Sequence, residues 1–259
     1  MNPRIGIIGG SGVYNPELFT LDRKVKMDTP YGETSGDILV GSLAGVPVAF
    51  LPRHGEKHQF PPHMVPYHAN LYALKQLGVE MIISPCAVGS LQEEYRPGEI
   101  VVVDQFIDFT KTRDYTYFDG PQTVHISIPE PFCPELSRLF SQAADELGIK
   151  AHDKGTYVCI EGPRFSTKGE SRMFRNFAEI IGMTLVPECQ LARELGMCYV
   201  SLAMITDYDV WKDNPVDLAM VLKTMGDNLY KVSQLLEKVL PQIPPSRRCS
   251  CAEAADVEV

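Results

Sequence analysis

The chain has 259 residues, of which 44% are hydrophobic and 22% charged, and its formal net charge at pH 7 is −9. This length and composition fit one large α/β domain or two small ones. No block of lysine and arginine stands out, which argues against nucleic acid as a partner. No run approaches the roughly 18 apolar residues that a membrane-spanning helix needs, so no membrane partner is expected.

The predicted elements begin with strands. Residues 1–6 enter a short apolar run at 4–8 without a signal-peptide layout, so a cytoplasmic location is expected. The glycine-rich turn Gly9-Gly10-Ser11-Gly12 follows that run. Residues 38–41 and 46–51 are strand-like pieces close together in the chain, and they predict a hairpin.

Helical spacing and apolar runs alternate along the rest of the chain. In chain order they predict a helix at 67–77, strands at 81–84 and 98–107, a helix at 136–147, a strand at 155–160, helices over much of 167–181 and at 187–195, a strand at 198–206 and a long helix at 216–240. No repeat or linker interrupts this order. We therefore predict a single α/β domain with a mixed central sheet at residues 1–245, followed by a C-terminal tail at 246–259.

An apolar run at residues 197–205 ends in Thr206-Asp207-Tyr208-Asp209. Because polar residues do not alternate within the run, it predicts a strand buried on both faces, and ligands of open α/β sheets lie beyond the carboxyl ends of such strands. Asp207 and Asp209 can accept hydrogen bonds from a ligand, and one can act as a general acid if its pKa is raised. The alternative is that the pair only turns the chain and caps the next helix.

Two segments offer hydrogen-bond donors to an anion. In Gly9-Gly10-Ser11-Gly12, backbone N–H groups and the Ser11 hydroxyl can approach a phosphate. The spacing matches neither a dinucleotide fingerprint nor a P-loop, so a simple tight turn is the alternative. Arg53-His54-Gly55 follows a predicted strand, and a guanidinium beside a histidine donor suits an oxyanion. An ordinary surface arginine is the alternative there.

Two later loops carry polar and aromatic side chains. In Glu161-Gly162-Pro163-Arg164-Phe165-Ser166, Phe165 either stacks on a flat aromatic ligand or packs in the core below the loop. Met183-Thr184-Leu185-Val186-Pro187-Glu188 precedes a predicted helix, where a carboxylate is usually a cap. The histidines at 54, 58, 63 and 68 match no zinc signature, so no metal site is expected from them.

The cysteines leave the redox state open. They are Cys86, Cys133, Cys159, Cys189, Cys198, Cys249 and Cys251. The lack of a CxxC pair argues against a structural zinc site. Disulfides are unusual in cytosolic proteins except those of hyperthermophiles, and the 20 prolines lean weakly toward a thermophile. Free thiols and disulfides both remain open on these grounds.

Seven short blocks, in order along roughly residues 4–240, resemble the trimeric-type purine nucleoside phosphorylase family, and within it the branch that acts on 5′-methylthioadenosine. The blocks are Gly9-Gly10-Ser11-Gly12, Arg53-His54-Gly55, Ala87-Val88-Gly89-Ser90-Leu91, Asp104-Gln105-Phe106-Ile107-Asp108, Glu161-Gly162-Pro163-Arg164-Phe165, Met183-Thr184-Leu185-Val186-Pro187-Glu188 and Thr206-Asp207-Tyr208-Asp209. The resemblance implies a twisted mixed sheet flanked by helices and a reaction in which phosphate displaces a purine base from a nucleoside. It implies no metal or organic cofactor, since phosphate is a co-substrate.

The resemblance assigns a phosphate site. Its members are Ser11, Arg53, His54, Cys86, Ala87 and Thr184. Phosphate needs several donors and a guanidinium, which agrees with this set. Cys86 departs from the family, which often has threonine here. A thiol is a poor donor, so this contact should be weaker or confined to backbone N–H groups.

The resemblance also assigns a nucleoside pocket. Its members around the base and ribose are Val88, Gly89, Phe165, Ile181 and Met183, with Met183 under the ribose and Phe165 against the base. Asp207 would protonate the purine near N7 as the C1′–N9 bond breaks, and Asp209 would accept from the 6-amino group. This pair favours adenine over hypoxanthine and guanine.

For the 5′ substituent, the resemblance points to Leu218, Val221 and Leu222 as an apolar pocket that accepts a methylthio group. The same spacing also fits a plain core stripe. His125 matches a residue that reaches the neighbouring subunit's site. A homotrimer or a dimer of trimers is therefore implied as the active assembly.

The resemblance extends to the cysteines. Cys133 and Cys198 match positions that form a bridge in thermophilic relatives, and Cys249-Ser250-Cys251 resembles their C-terminal motif. A Cys133–Cys198 disulfide is thus implied, with Cys189 as a candidate partner for the tail.

The activity implied is phosphorolysis of 5′-methylthioadenosine to adenine and 5-methylthioribose 1-phosphate. A broader purine nucleoside phosphorylase that accepts adenosine, inosine or guanosine is the alternative within the family. Outside the family, a nucleotide sensor or dinucleotide-binding protein would bind without phosphate dependence and would leave Arg53, His54 and the two aspartates unexplained. A metal-dependent hydrolase that uses the histidines would lose activity to chelators.

Overall fold

The structure is a computed structural model that describes residues 2–10, 19–121, 123–212 and 218–255, the side chains of 218–222 and 255 excepted. Its strands there are β1 Ile5–Gly9, β2 Phe19–Val25, β3 Asp28–Thr29, β4 Gly32–Glu33, β5 Ile38–Leu43, β6 Val46–Pro52, β7 Met81–Ser90, β8 Ile100–Val102, β9 Gln105–Phe109, β10 Ala151–His152, β11 Thr156–Ile160, β12 Ile180–Gly182 and β13 Cys198–Asp207. The α-helices are α1 Tyr67–Gln76, α2 Pro134–Leu147, α3 Lys168–Phe174, α4 Glu188–Glu194 and α5 Leu218–Val239. Short 3₁₀ helices occupy Pro62–Met64, Leu240–Gln242 and Ser250–Ala255.

A mixed sheet of 11 strands forms the body of the protein, with the order β10-β8-β13-β7-β1-β6-β5-β2 along its main path. In its middle, β13, β7, β1 and β6 run parallel to one another. β12 pairs antiparallel with the last residues of β7, and β11 and β9 continue the sheet from β12. The carboxyl ends of the four central strands therefore lie at one edge, next to β12.

The central strands send alternate side chains into two cores. Ile82 of β7 lies with Leu71 of α1 and Leu191 of α4 on one face. Ile83 lies on the other face with Phe140 of α2 and with side chains of α5. Because helices cover both faces, the edge at the strand ends is the accessible side of the sheet. The predicted single α/β domain with a mixed central sheet is confirmed.

Strand β13 has the character that its apolar run predicts. Every residue from 198 to 206 is buried, so both faces of the strand are covered. The predicted hairpin is also confirmed, because β5 and β6 pair antiparallel with Leu43 opposite Val46.

Three predicted elements are wrong in extent. The run at 98–107 divides into β8, which pairs with β13 and β10, and β9, which pairs with β11. The strand predicted at 81–84 continues to Ser90 as β7. The helix predicted over 167–181 ends at Phe174, and Ile180–Gly182 forms β12 instead. β12 has strand partners on both sides, and this pairing overrides local helical spacing.

Part of the predicted tail packs onto the body. Cys251 is only 2% exposed and lies in the core that contains α2 and β13. Arg247 donates from Nη1 to the carbonyl of Gly196 at 2.7 Å. The division of the chain at residue 245 stays a prediction.

Within the described part of the chain, no helix is both long enough and apolar enough to cross a lipid bilayer.

Candidate active site

Register across the central strands brings the predicted phosphate residues together. Ile7 of β1 is level with Phe50 of β6 and Ile83 of β7. At the carboxyl ends, Gly9 of β1 is opposite Pro52 of β6, and Nη1 of Arg53 donates to the carbonyl of Pro85, the residue before Cys86, at 3.2 Å. The backbone N–H of Arg53 donates to the carbonyl of Gly9 at 2.9 Å, which joins the ends of β6 and β1.

The predicted base residues gather farther along β7. Gly89 is opposite Asp207 of β13 on one side and Ile181 of β12 on the other. A strand rises about 3.3 Å per residue, so Gly89 lies about 10 Å beyond Cys86. That distance suits a ligand whose anion and aromatic base occupy opposite ends of one cleft.

The surroundings of Gly89 are packed so closely that they leave no room for a side chain at this position. A Cβ at this residue would lie 3.1 Å from Oδ1 of Asp207, 3.2 Å from Ile181 and 3.3 Å from Cβ of Asp209. These four residues are therefore direct neighbours. Val88, the preceding residue, is 3% exposed and packs into the core below them.

Asp207 has the electrostatic environment of a general acid. Its Oδ1 accepts from the backbone N–H of Asp209 at 2.8 Å, and its Oδ2 accepts from the Thr206 hydroxyl at 2.8 Å. Burial raises the pKa of the Asp207 carboxyl above its ordinary value, against the lowering effect of these two hydrogen bonds. The bond from the Asp209 N–H also turns the chain, as the structural interpretation of the pair predicts, and the role of Asp207 as a general acid stays a prediction.

Ser166 is a site residue to which sequence reasoning gave no role. Its hydroxyl lies 2.7 Å from both carboxylate oxygens of Asp209, and both side chains are buried. Asp209 has a φ of +50°, a left-handed conformation that aspartate tolerates better than most residues. The only available signal was that Ser166 ends the Glu161 to Ser166 block.

The other predicted nucleoside residues surround this pair unevenly. Phe165 is 73% exposed, so it is not a core aromatic. Gly162 has a φ of +66°, and a Cβ there would lie 2.6 Å from Sδ of Met183. The loop before Phe165 therefore touches the loop that carries Met183. Thr184, the next residue, is 9% exposed, and its backbone N–H is 3.4 Å from the Tyr157 hydroxyl.

Arg53 is not a surface arginine, so that alternative is wrong. Its side chain is 2% exposed, and its guanidinium forms a double hydrogen bond with Glu188, from Nε at 2.7 Å and from Nη2 at 3.0 Å. Burial alone lowers the pKa of Arg53, but the Glu188 carboxylate raises it above its ordinary value. Glu188 starts α4 but binds Arg53, and no side-chain cap is made at this helix, so its assignment as a cap is wrong.

His54 is held in one neutral form. Its Nδ1 lies 2.8 Å from the carbonyl of Phe60, and burial together with the charge of Arg53 lowers the pKa of His54 to about 4. A carbonyl only accepts, so Nδ1 carries the hydrogen and Nε2 is an acceptor near neutral pH. The donor that the sequence predicts at His54 must then be its backbone N–H.

Cys86 lies inside the sheet rather than at a surface. Its sulfur is 3.6 Å from the Ser201 hydroxyl, and burial raises the pKa of the thiol. Ala87, the next residue on β7, is exposed. The Cys86 side chain is therefore a weak donor.

For some predicted site residues, the structure does not test the predicted role. Ser11 lies outside the described residues, and Leu218, Val221 and Leu222 lie where side chains are not described. His125 is exposed, in an irregular stretch between α2 and β9.

Four cysteine sulfurs meet away from the candidate active site. The Sγ atoms of Cys133, Cys198, Cys249 and Cys251 all lie within 4.8 Å of one another, and all seven thiols are free. The buried thiol of Cys189 faces the Pro131 carbonyl at 3.7 Å instead. The group is close enough for disulfide exchange or for a metal ion. The argument from CxxC spacing missed it because α2, β13 and the C-terminal segment each contribute to it.

Comparisons with known proteins agree with this geometry. The family model described as the phosphorylase superfamily matches residues 4–241. Among curated proteins, the S-methyl-5′-thioadenosine phosphorylase of Thermococcus kodakarensis is 62% identical over 251 residues, and that of Pyrococcus furiosus is 59% identical over 251 residues. Each alignment covers 97% of this chain and 97% of the relative.

Solved structures give the same result. A methylthioadenosine phosphorylase from an antarctic soil metagenomic library superposes with a TM-score of 0.93 at 44% identity, over 98% of this chain and 91% of that one. The methylthioadenosine phosphorylase of Schistosoma mansoni in complex with adenine gives 0.91 at 36% identity, over 98% and 96%. The chain therefore belongs to the phosphorylase superfamily, in the same family as the S-methyl-5′-thioadenosine phosphorylases of Thermococcus and Pyrococcus.

Proposed function

We propose that the protein catalyses the phosphorolysis of 5′-methylthioadenosine to adenine and 5-methylthioribose 1-phosphate. The observation that carries this proposal is the half-buried Asp207, whose pKa is raised, beside Asp209 at the end of β13 and level with Gly89. Relatives with this printed activity at 59% and 62% identity support it.

In the proposed reaction, a phosphate oxygen forms a bond to C1′ as the C1′–N9 bond breaks. The electron pair of that bond passes to the purine, and Asp207 delivers a proton at N7, so adenine leaves as a neutral molecule. Hydrogen phosphate loses its proton on becoming an ester, which balances the proton that Asp207 supplied. Asp209 accepts from the 6-amino group and is oriented by Ser166.

The phosphate site would be built from donors near the ends of β1, β6 and β7 and from the segment after β12. The residues proposed are Ser11, Arg53, His54, Cys86, Ala87 and Thr184. The backbone N–H of Arg53 bonds the Gly9 carbonyl, and its Nη1 bonds the carbonyl of Pro85 next to Cys86, which supports the grouping. No metal or organic cofactor enters this reaction, so turnover is expected to be indifferent to chelators.

The 5′ side and the assembly rest on the resemblance alone. Leu218, Val221 and Leu222 would form the pocket for the methylthio group, and the exposed His125 would reach a neighbouring subunit's site. A homotrimer or a dimer of trimers is the assembly expected from that arrangement. A cytoplasmic location likewise stays a prediction.

Release of adenine from 5′-methylthioadenosine, measured with and without phosphate, tests the proposal. We expect phosphate-dependent release and little turnover of inosine assayed in parallel. Equal turnover of inosine would favour the broader purine nucleoside phosphorylase. Release that needs no phosphate would make the protein a hydrolase and would contradict the assigned phosphate site.

Replacing Cys86 by threonine should improve phosphate binding. The thiol is a weak donor, whereas a hydroxyl at this position could add a hydrogen bond to the anion, so the KM for phosphate should fall about 3–10-fold. Cys86→Val is the matched control, because valine has the shape of threonine without its hydroxyl. An equal effect of the two variants on the KM for phosphate would contradict the prediction.

The Cys133–Cys198 disulfide stays a prediction, and the four-sulfur cluster makes it testable. Alkylation and mass measurement without reductant should modify two thiols fewer than alkylation with reductant. A bridge that closes several dozen residues would contribute about 4 kcal/mol to stability in the chain-entropy model, so the reductant should also lower the Tm. Seven modified thiols without reductant would contradict the disulfide, and a metal released on unfolding would explain the cluster instead.

A further inference from the structure

Glu188 joins Arg53 to two further side chains in a buried network. Glu188 is 1% exposed. Its Oε2 accepts from Nε of Arg53 at 2.7 Å. Its Oε1 accepts from Nη2 of Arg53 at 3.0 Å, from the Ser84 hydroxyl at 2.6 Å and from the Tyr199 hydroxyl at 2.8 Å. The carboxylate is thus surrounded by donors from β7, β13 and the end of β6.

Two backbone carbonyls and the Ser84 hydroxyl hold the Arg53 guanidinium from other directions. Nη2 of Arg53 donates to the carbonyl of Ile8 at 2.9 Å and to the Ser84 hydroxyl at 2.6 Å. Nη1 donates to the carbonyl of Pro85 at 3.2 Å. The guanidinium plane is therefore attached to β1, β7 and α4 at once, at the edge where the central strands end.

Stability alone does not account for this arrangement. Moving a carboxylate and a guanidinium out of water is strongly unfavourable, and apolar residues of similar volume in their place often leave a protein equally stable. What such a network provides is a fixed orientation. Nη1 carries two hydrogens, and the described part of the chain supplies an acceptor for one of them.

We propose that Glu188 is a positioning residue that orients Arg53 so that its remaining Nη1 hydrogen meets the phosphate. Ser84 and Tyr199 hold Glu188 in turn. This inference rests on the proposed function, since it concerns the phosphate site of that reaction. It extends the site inward to three side chains that do not themselves touch the substrate.

The first test compares Glu188→Gln with Glu194→Gln. Glu194 is a matched control, because it lies on the same helix, is 8% exposed, and accepts from the backbone N–H of Tyr117 at 2.8 Å rather than from a member of the Arg53 network. The KM for phosphate should rise about 10-fold or more in Glu188→Gln, as expected for the loss of a hydrogen bond to a charged group. It should stay unchanged in Glu194→Gln.

The affinity for adenine distinguishes a positioning role from a merely structural one, because structural damage to the site would weaken adenine binding as well as phosphate binding. Trp211 is the single tryptophan of the chain, and its Nε1 donates to the carbonyl of Ser90, the residue after Gly89. Adenine binding followed by tryptophan fluorescence, without turnover, should keep the same Kd in Glu188→Gln. A parallel weakening of adenine and phosphate binding would overturn the proposal.

Milder variants keep the proposal testable if Glu188→Gln fails to fold. Tyr199→Phe and Ser84→Ala each remove one hydroxyl from the network, and each should raise the KM for phosphate about 3-fold or more. Folded variants whose KM for phosphate equals that of the wild type would overturn the proposal. Failure of the proposed function is distinguishable, because the wild type itself would then show no phosphate-dependent release of adenine.

Discussion

Asp207→Asn should lower kcat for phosphorolysis of 5′-methylthioadenosine by about 10²–10⁴-fold, the range that a positioned proton donor supplies. Asparagine keeps the shape of the side chain but has no proton to give at N7. The local hydrogen bonds can survive, since an amide oxygen accepts from the Asp209 N–H and the Thr206 hydroxyl can turn to the carbonyl of Val88, 3.2 Å away. Steady-state kinetics at saturating phosphate will measure the loss.

The same substitution should stabilise the fold at neutral pH. The folded pKa of Asp207 is raised above 3.8, mainly by burial, so the folded protein binds this proton more tightly than the unfolded chain does. Stability is therefore lost as pH rises from that ordinary value through the raised folded pKa, and asparagine removes this loss. The Tm of Asp207→Asn should exceed that of the wild type at pH 7.

Two results would contradict this account of Asp207. One is a variant that retains near wild-type kcat, which would mean that another group protonates the base. The other is a Tm gain that is equally large well below the ordinary pKa of 3.8, where both states hold the proton. The wild type should also lose kcat as pH rises above the folded pKa of Asp207, because the acid is then deprotonated.

The sequence predicts those parts of the site that follow directly from strand patterns. The apolar run before Thr206 indicates a doubly buried strand, and parallel strands place their carboxyl ends at one edge. Asp207 ends one such strand, and Gly10 and Arg53 directly follow two others, so their meeting at that edge can be expected before the structure is known. Their relative depth is set by register, which only the pairing of β1, β6, β7 and β13 reveals.

The contacts that the sequence does not predict join residues far apart in the chain. Ser166 and Asp209 are 43 residues apart, and Arg53 and Glu188 are 135 apart. A carboxylate at the start of a helix usually acts as a cap, and no local pattern distinguishes Glu188 from that majority. The sequence prediction missed strand β12 for a related reason. Its three residues form a strand because they pair with β11 on one side and β7 on the other, and both partners are distant in the chain.

Asp209→Asn should shift the preference of the enzyme from 6-amino purines toward 6-oxo purines. A carboxylate accepts from the 6-amino group of adenine but repels the 6-oxo oxygen of hypoxanthine, whereas an asparagine amide can donate to that oxygen. 5′-Methylthioadenosine and 5′-methylthioinosine differ only in the 6-substituent and in the hydrogen that the 6-oxo form carries on N1, so they form a matched substrate pair. The ratio of their kcat/KM values should move toward the 6-oxo substrate by about 10²-fold or more, since sites built around one hydrogen bond discriminate by larger factors.

The backbone conformation at residue 209 should be the same in Asp209→Asn as in the wild type. Asp209 has a φ of +50°, and asparagine tolerates this left-handed conformation as well as aspartate does, so the chain path should not change. Ser166 can still donate to the amide oxygen of Asn while the amide nitrogen turns toward the base. Tyr208→Phe is the matched control, because the Tyr208 ring packs against Lys212 and Trp211, outside the Ser166–Asp209 contact. If Asp209→Asn left the substrate ratio at the wild-type value, Asp209 would not read the 6-position, and base selection would have to come from Asp207 or from the loop that carries Phe165.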